Sequence, residues 1–257
     1  MLLGSNNPQV LSKRALATKA WDSCAKIPKE VLASEIDLRG IRAIRMNRSQ
    51  ANANEIRALL PLPETAYEIC RVARTLDSGS DSVHLGPQMT ENRIRAMSES
   101  GKLASFRIVH FATHAAVAGE LTSTNEPGLI LTPPDQPTLN QDGYLSRTEI
   151  LSLKLNADWI VLSACNTSAP NTASAEGLSG LAQAFFHAGA RSLLVSHWAV
   201  NSATTVALIT AAFKSLKEVG IQNQSTAVRH AILQFLDKAG ADRSHPHYWA
   251  PFFVVGS

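Results

Sequence analysis

The second half of the chain shows two repeating patterns of apolar residues, one typical of buried strands and one typical of amphipathic helices. Near-continuous apolar runs, which indicate strands buried on both faces, occur at 105–113, 158–164, 191–198 and 251–256. Between them, apolar residues recur every three or four positions and predict helices. One helix starts near Glu176 and stops at Gly189, a second runs from Ser202 to Gly220, and a third ends at Gly240. This alternation predicts a parallel sheet with helices on both faces.

The first half of the chain has a weaker pattern. Further predicted elements are a strand over MLLGS at 1–5, a helix over 64–76, a helix capped by Thr90, and a strand at 129–132. Ser146 and Glu149 have the spacing of a capping box, which predicts the start of a short helix. Residues 20–60 carry no strong periodicity. We therefore expect an α/β fold, a three-layer αβα sandwich around a mostly parallel sheet.

Composition and charge exclude several classes of partner. Of the 257 residues, 45% are hydrophobic and 18% are charged, which allows a sizeable core. The formal net charge of +3 gives no reason to expect a nucleic-acid or membrane partner. A basic run at Arg39, Arg42, Arg45 and Arg48 is interpreted as a solvated face. No apolar stretch is long enough to span a bilayer.

The three cysteines stand at positions 24, 70 and 165. An odd and sparse set is more typical of a reducing compartment than of a disulfide framework. We therefore expect a soluble, cytoplasmic protein in which Cys24 and Cys70 are free thiols.

Two strand-like runs end on reactive side chains. His114 follows VHFAT, and Cys165 follows IVLSA, 51 residues further along the chain. In open α/β sheets, ligands bind at the carboxyl ends of the strands. A cysteine attacks as its thiolate, and a neighbouring histidine lowers the pKa of the thiol and later protonates the leaving amine. A buried structural cysteine and a structural histidine remain the alternative interpretation of the two residues.

Several long segments resemble one known family. They are HFATHA (110–115), DGYLSRTEILSLKLNADWIVLSACNT (142–167), EGLSGLAQAFFHAGARSLLVSHWAV (176–200) and HPHYWAPFFVVG (245–256). Together they are similar to the CHAT domains, caspase-like cysteine-peptidase domains related to separase that often follow tetratricopeptide repeats in bacterial proteins. The resemblance covers roughly residues 55–257. It implies a caspase-like fold in a single domain over 1–257 that lacks the first strand or strands of the family.

The resemblance also implies roles for particular residues. Cys165 corresponds to the nucleophile and His114 to the general base and acid. The backbone N–H groups of Cys165 and Ala115 would hold the oxyanion. The function implied is a cysteine endopeptidase that cleaves a protein substrate and stays latent until a partner protein or an upstream repeat region activates it. The alternatives are an inactive interaction module that keeps the fold and, less favoured, a hydrolase or acyl-transfer enzyme acting on a small substrate.

The remaining polar motifs indicate no cofactor or metal. The sequence contains no phosphate-binding glycine loop, no G-x-S-x-G elbow and no dinucleotide fingerprint. His245 and His247 are interpreted as a surface turn, His110 as buried against a helix, and His187 as a structural or surface residue. His197 is interpreted as a packed or hydrogen-bonded core residue, with a position in the cleft as the alternative. Four acids are candidates for a specificity pocket, and the sequence does not choose among them: Asp142, Glu149, Asp158 and Glu176.

Overall fold

The helices and strands follow the predicted alternation. The computed structural model describes residues 2–4, 24, 53–59, 62–118, 121, 124–138, 140–163, 173–196, 202–218, 223–240 and 243–256. Within them the strands are β1 (Leu2–Gly4), β2 (Val83–Leu85), β3 (Ile108–Ala112), β4 (Ala115–Ala116), β5 (Gly128–Ile130), β6 (Tyr144–Ser146), β7 (Trp159–Leu162), β8 (Ser192–Ser196) and β9 (Phe252–Gly256). The helices are α1 (Ala53–Ala58), α2 (Pro63–Thr75), α3 (Glu91–Glu99), α4 (Arg147–Leu151), α5 (Ala173–His187), α6 (Ser202–Glu218) and α7 (Gln224–Lys238).

Most of the long strands pair in parallel. Among the described residues, the main sheet has the order β2-β1-β3-β7-β8-β9. The strands from β2 to β8 run parallel, and only β9 is antiparallel to its neighbour. The carboxyl ends of β3 and β7 therefore lie side by side at one edge of the sheet. The mostly parallel sheet predicted from the sequence is confirmed.

Helices cover both faces of this sheet. On one face, α2, α6 and α7 pack against Ala112, Trp159 and Val161. On the other, α3, α4 and α5 pack against Val109, Phe111 and Ile160. Alternate residues of β3 and β7 thus point into two different apolar layers, which explains why both strands are apolar at nearly every position. The αβα sandwich is confirmed.

A small second sheet follows the end of β3. It contains β4, β5 and β6 in antiparallel order. The strand predicted at 129–132 is its middle strand, but the sequence pattern did not reveal the sheet. β4 begins directly after His114, so this sheet adjoins the carboxyl edge of the main one.

Two predicted helix starts have the side-chain bonds that their sequences indicate. The Thr90 hydroxyl accepts the backbone N–H of Arg93, one of the unpaired donors of the first turn of α3. At α4, the Ser146 hydroxyl accepts the N–H of Glu149, and the Glu149 carboxylate accepts the N–H of Ser146. This reciprocal pair is the predicted capping box.

Gly189 ends α5 in a conformation that a side chain does not tolerate. Its φ is +110°, and a Cβ built there would lie 2.3 Å from the carbonyl oxygen of Leu155. Because both the backbone angle and the contact are unfavourable, we expect Gly189→Ala to lower the free energy of unfolding by at least about 2 kcal/mol. Urea denaturation measures the change.

Gly240 provides the matched control for this prediction. It follows the end of α7, and a Cβ built there meets nothing within 4 Å. Gly240→Ala should therefore change the free energy of unfolding by less than about 0.5 kcal/mol. Equal losses in the two variants would contradict the role assigned to Gly189.

Candidate active site

His114 lies at the carboxyl end of β3, where its backbone is fixed by the second sheet. β3 ends at Ala112, and His114 follows two residues later as a half-buried residue. Its carbonyl oxygen accepts the N–H of Ile130 at 2.8 Å. The preceding Thr113 donates its hydroxyl to the Ile130 carbonyl. The segment that carries His114 is thus tied to β5.

The backbone N–H of Ala115 points away from β5. Ala115 pairs with Leu129 in antiparallel register. The neighbouring pair, His114 with Ile130, is hydrogen-bonded, because the Ile130 N–H donates to the His114 carbonyl. Bonded and non-bonded pairs alternate in antiparallel ladders, so Ala115 and Leu129 form a non-bonded pair. The Ala115 N–H is therefore directed outwards from β4, which is an edge strand of the described second sheet.

β3 and β7 pair with a constant offset of 51 residues. The pairs run from Ile108 with Trp159 (159 − 108 = 51) to Phe111 with Leu162 (162 − 111 = 51). The last described backbone bond of this pairing runs from the N–H of Ser163 to the Phe111 carbonyl at 3.2 Å. Ser163 is the last described residue of this segment, and Cys165 lies outside the described residues.

A buried polar cluster joins these strands to α2. His110, which has no exposed surface, has its Nε2 3.0 Å from the Ser163 hydroxyl oxygen and 2.8 Å from Glu68 Oε1. Its ring also packs against Phe213 of α6, with 5.9 Å between ring centroids. The prediction that His110 is buried against a helix is confirmed. Nothing in the local sequence marks Glu68 or Ser163 as members of this cluster, because their contacts depend on the order of the strands in the sheet.

The sequence of residues 16–257 matches the family described as CHAT domain. The chain belongs to the CHAT-domain family. CHAT domains are related to cysteine peptidases. This agrees with the parallel sheet, the covering helices and the position of His114 at a strand end.

Two curated relatives of this CHAT domain are repeat proteins. The chain is 26% identical over 227 residues to Tetratricopeptide repeat protein 28 of Mus musculus, a match that covers 77% of the chain and 9% of that protein. It is 32% identical over 123 residues to Tetratricopeptide repeat protein 28 of Homo sapiens, covering 48% of the chain and 5% of that protein. The chain thus spans less than a tenth of the length of the curated relatives it matches.

The four candidate pocket acids of the CHAT domain differ in their surroundings. Asp158 precedes β7, at the opposite end of the strand from Ser163, and forms ion pairs with Arg107 and Arg191. It therefore lies away from the carboxyl edge of the sheet. Glu149 is bound to Arg95 at 3.0 Å as well as to the capping box. The side chain of Glu176 lies outside the described residues.

Asp142, the fourth candidate, lies next to a second buried acid. Its side chain accepts the N–H of Tyr144 at 2.8 Å, and the residue is 7% exposed. Nearby Glu91 accepts the N–H of Gly143. Burial, with smaller contributions from the like charges of Glu149 and Asp142, raises the pKa of Glu91 to about 8. Glu91 is consequently mostly protonated at neutral pH, which avoids a second buried negative charge beside Asp142.

The raised pKa of Glu91 predicts how stability changes with pH. The folded-state pKa of about 8 exceeds the ordinary value of 4.5, so the folded chain binds this proton more tightly than the unfolded chain. The resulting stability is fully present below pH 4.5 and is lost as the pH rises towards 8. Glu91→Gln removes this titration. We expect the stability of the wild type, relative to that variant, to fall by roughly 3–4 kcal/mol between pH 5 and 8.

Urea denaturation at the two pH values tests this prediction, and Glu99→Gln serves as the control. Glu99 is an exposed acid on the same helix, so its replacement should leave the pH profile of the wild type unchanged. A pH profile that is equally steep in Glu91→Gln and the wild type would show that Glu91 does not hold its proton in the folded state.

The other histidines considered in the sequence lie on exposed segments of the structure or outside its described part. His245 and His247 lie on an exposed turn, where the ring of His245 accepts the N–H of His247. His187 is exposed at the end of α5. His197 and the basic run at 39–48 lie outside the described residues. Within the described part of the chain, no group of histidine, cysteine and acidic side chains has the arrangement of a metal site.

The prediction that Cys24 and Cys70 are free thiols is wrong. The two residues form a disulfide, with 5.3 Å between their Cα atoms, a separation that suits such a bond. Arg74, one turn further along α2, donates to the Cys24 carbonyl at 2.8 Å. The pairing leaves Cys165 as the one cysteine outside it. The argument from cysteine usage for a reducing compartment therefore no longer holds.

None of the described helices is long and apolar enough to cross a membrane.

Proposed function

We propose that this CHAT domain is a cysteine endopeptidase that cleaves a protein substrate with His114 and Cys165. The observation that carries the proposal is the register of β3 and β7. The two strands pair at an offset of 51 residues, and His114 and Cys165 are also 51 residues apart (165 − 114 = 51). Residues in register on adjacent parallel strands are about 4.8 Å apart and on the same face of the sheet. Continuation of the ladder beyond Ser163 would bring the two side chains together.

The proposed reaction follows the chemistry of the two side chains. The His114 imidazole accepts the thiol proton, and the Cys165 thiolate attacks the carbonyl carbon of the scissile peptide. The oxyanion accepts hydrogen bonds from the backbone N–H groups of Ala115 and Cys165. The outward direction of the Ala115 N–H supports the first of these donors. The imidazolium protonates the leaving amine, and water then hydrolyses the thioester with His114 as the base.

The structure reduces the number of acids that suit a specificity pocket. Asp158 is neutralised by two arginines at the wrong end of β7, so we exclude it from the pocket. Glu149 is already bound by Arg95 and by the helix cap. The side chain of Asp142 is buried and accepts the N–H of Tyr144, so Glu176 is the remaining candidate for a pocket acid.

A second candidate function is a non-enzymatic interaction module. The observation in its favour is that both matched relatives are named tetratricopeptide repeat proteins and contain the matched region as a small part of their length. Such a module would keep the sandwich but would not cleave peptides.

We further propose that the chain is latent on its own and is activated by a partner protein or by an attached repeat region. A polar loop connects β4 to β5 at 117–127, and the loop predicted from the sequence at 166–175 follows Cys165, with its last three residues, 173–175, in α5. A partner that binds one arrangement of such loops more tightly shifts the population towards that arrangement. Isolated CHAT domain should therefore cleave substrate far more slowly than the longest natural protein, which a comparison of initial rates measures. Rapid, specific cleavage by the purified chain alone would contradict latency.

The experiment that tests the proposed function is a peptide-library cleavage profile of the longest natural protein. We expect cleavage after one preferred residue, and the same profile run on Cys165→Ala should show no products. Absence of cleavage in the presence of the natural partners, together with intact folding, would favour the interaction module. Products that persist in Cys165→Ala would show that another residue is the nucleophile.

A further inference from the structure

We infer that the cluster of Glu68, His110 and Ser163 is a clamp that holds the carboxyl ends of β3 and β7 in register, and that it thereby positions His114 against Cys165. The clamp itself follows from described contacts. Its effect on the dyad rests on the proposed function.

The contacts of the cluster define how it is bonded. The residues are nearly inaccessible, with exposed fractions of 2%, 0% and 4% for Glu68, His110 and Ser163. His110 Nε2 is hydrogen-bonded to the Ser163 hydroxyl at 3.0 Å, and Glu68 Oε1 lies 2.8 Å from the same nitrogen without forming a hydrogen bond there. One hydrogen bond thus links β3 and β7, and the Glu68 carboxylate of α2 lies against the same ring nitrogen.

Ser163 is tied to β3 twice. Its N–H donates to the Phe111 carbonyl, and its hydroxyl bonds to His110 on the same strand. These are the last described contacts of β7 before Cys165. A slip of one residue in a strand turns every side chain to the opposite face. Loss of register at Ser163 would therefore separate the side chains of the proposed dyad.

Directional bonding distinguishes this cluster from the apolar core around it. Trp159, Val161 and Ala112, on the same face of the sheet, pack through contacts that tolerate small shifts. Buried polar groups contribute little net stability compared with apolar side chains of similar volume, but they hold one geometry. A polar cluster at the strand exit therefore suits a positioning role better than a stabilising one.

The test compares variants of the cluster with a matched serine elsewhere. Ser163→Ala and His110→Leu remove the bond, whereas His110→Gln keeps an N–H donor at the ε position. Ser192→Ala is the control, since Ser192 is 1% exposed and its hydroxyl donates to the Asp158 carbonyl at the amino end of the sheet. Two quantities are measured in the folded, full-length chain: hydrogen exchange of the residue 163 amide, and the rate of iodoacetamide labelling of Cys165 from pH 5 to 9.

We expect Ser163→Ala and His110→Leu to speed exchange of the residue 163 amide on the order of tenfold, the equivalent of one lost hydrogen bond. Labelling of Cys165 at pH 6.5 should slow on the order of tenfold, and its pH midpoint should move towards that of a free thiol. His110→Gln should restore most of both values, and Ser192→Ala should change neither.

The two measurements separate failure of the clamp from failure of the proposed function. Exchange that is unchanged in Ser163→Ala, or accelerated equally in Ser192→Ala, would overturn the clamp. If exchange of the residue 163 amide is faster but labelling of Cys165 is unchanged and still depends on His114, the positioning role of the clamp is wrong. Faster exchange in a protein whose Cys165 never depends on His114 would support the clamp and contradict the proposed dyad.

Discussion

Cys165→Ala is expected to reduce kcat/KM for peptide cleavage by at least about 10⁴-fold, because it removes the sulfur that attacks the scissile carbonyl in the proposed reaction. His114→Ala should cause a comparable loss, since the thiol then lacks its base and the leaving amine its acid. The double variant should be no slower than the single ones, because residues that act as a unit are not additive. Initial rates on the peptide selected by the library profile give these values.

His187→Ala provides the matched control for His114→Ala. His187 is exposed at the end of α5, so its replacement should leave kcat/KM within about twofold of the wild type. If kcat/KM of His114→Ala were as high as that of His187→Ala, the general base would have to be a group other than His114.

Phe213→Ala is expected to lower the free energy of unfolding by about 3–5 kcal/mol. Phe213 has no exposed surface, and its ring centroid is 5.0 Å from that of Trp159 and 5.9 Å from that of His110. It therefore fills the space between α6 and the two central strands. Truncation to alanine leaves a cavity in this layer in addition to the lost transfer free energy.

Urea denaturation measures this loss, and Leu233→Ala is the control. Leu233, a large apolar residue on α7, is 43% exposed. Its truncation should lower the free energy of unfolding by less than about 1 kcal/mol, because much of the Leu233 side chain already contacts water and few packing contacts are lost. Similar losses for Phe213→Ala and Leu233→Ala would show that the layer between α6 and the sheet is not close-packed.

The main sheet and its helices were predictable because their residues carry strong local signals. β3 and β7 are apolar at nearly every position, and β8 is apolar at its three central positions, as expected for strands covered on both faces. Gly189 ends α5 at a positive φ, and the capping box fixes the start of α4. Such signals depend on the residue itself and its nearest neighbours.

Features that depend on distant partners were not predictable. β2 and β4 contain three and two residues, too few to show a period. The disulfide joins residues 46 positions apart, and one of them lies in a segment without a pattern. The link between Glu68, His110 and Ser163 requires three separate elements to be adjacent, which follows only from the sheet order.

The candidate site was predictable in part for a similar reason. The position of His114 follows from the end of an apolar run, and β3 indeed ends two residues before it. The register between β3 and β7 depends on how two strands 51 residues apart align, and the sequence alone did not give it. The pairing of His114 with Cys165 remains a prediction.

Mapping of alkylated cysteines at pH 6.5, in the wild type and in His114→Ala, is the measurement that tests the dyad most directly. A free thiol with a pKa of about 8.5 is only about 1% thiolate at this pH, whereas a thiolate paired with imidazolium is largely ionised. Without reductant, we expect iodoacetamide to label Cys165 and leave the disulfide of Cys24 and Cys70 unlabelled. Labelling should be faster than that of N-acetylcysteine, and His114→Ala should remove this advantage while the fold stays intact. Labelling of Cys165 at the rate of a free thiol, or fast labelling that His114→Ala does not change, would contradict the proposed dyad.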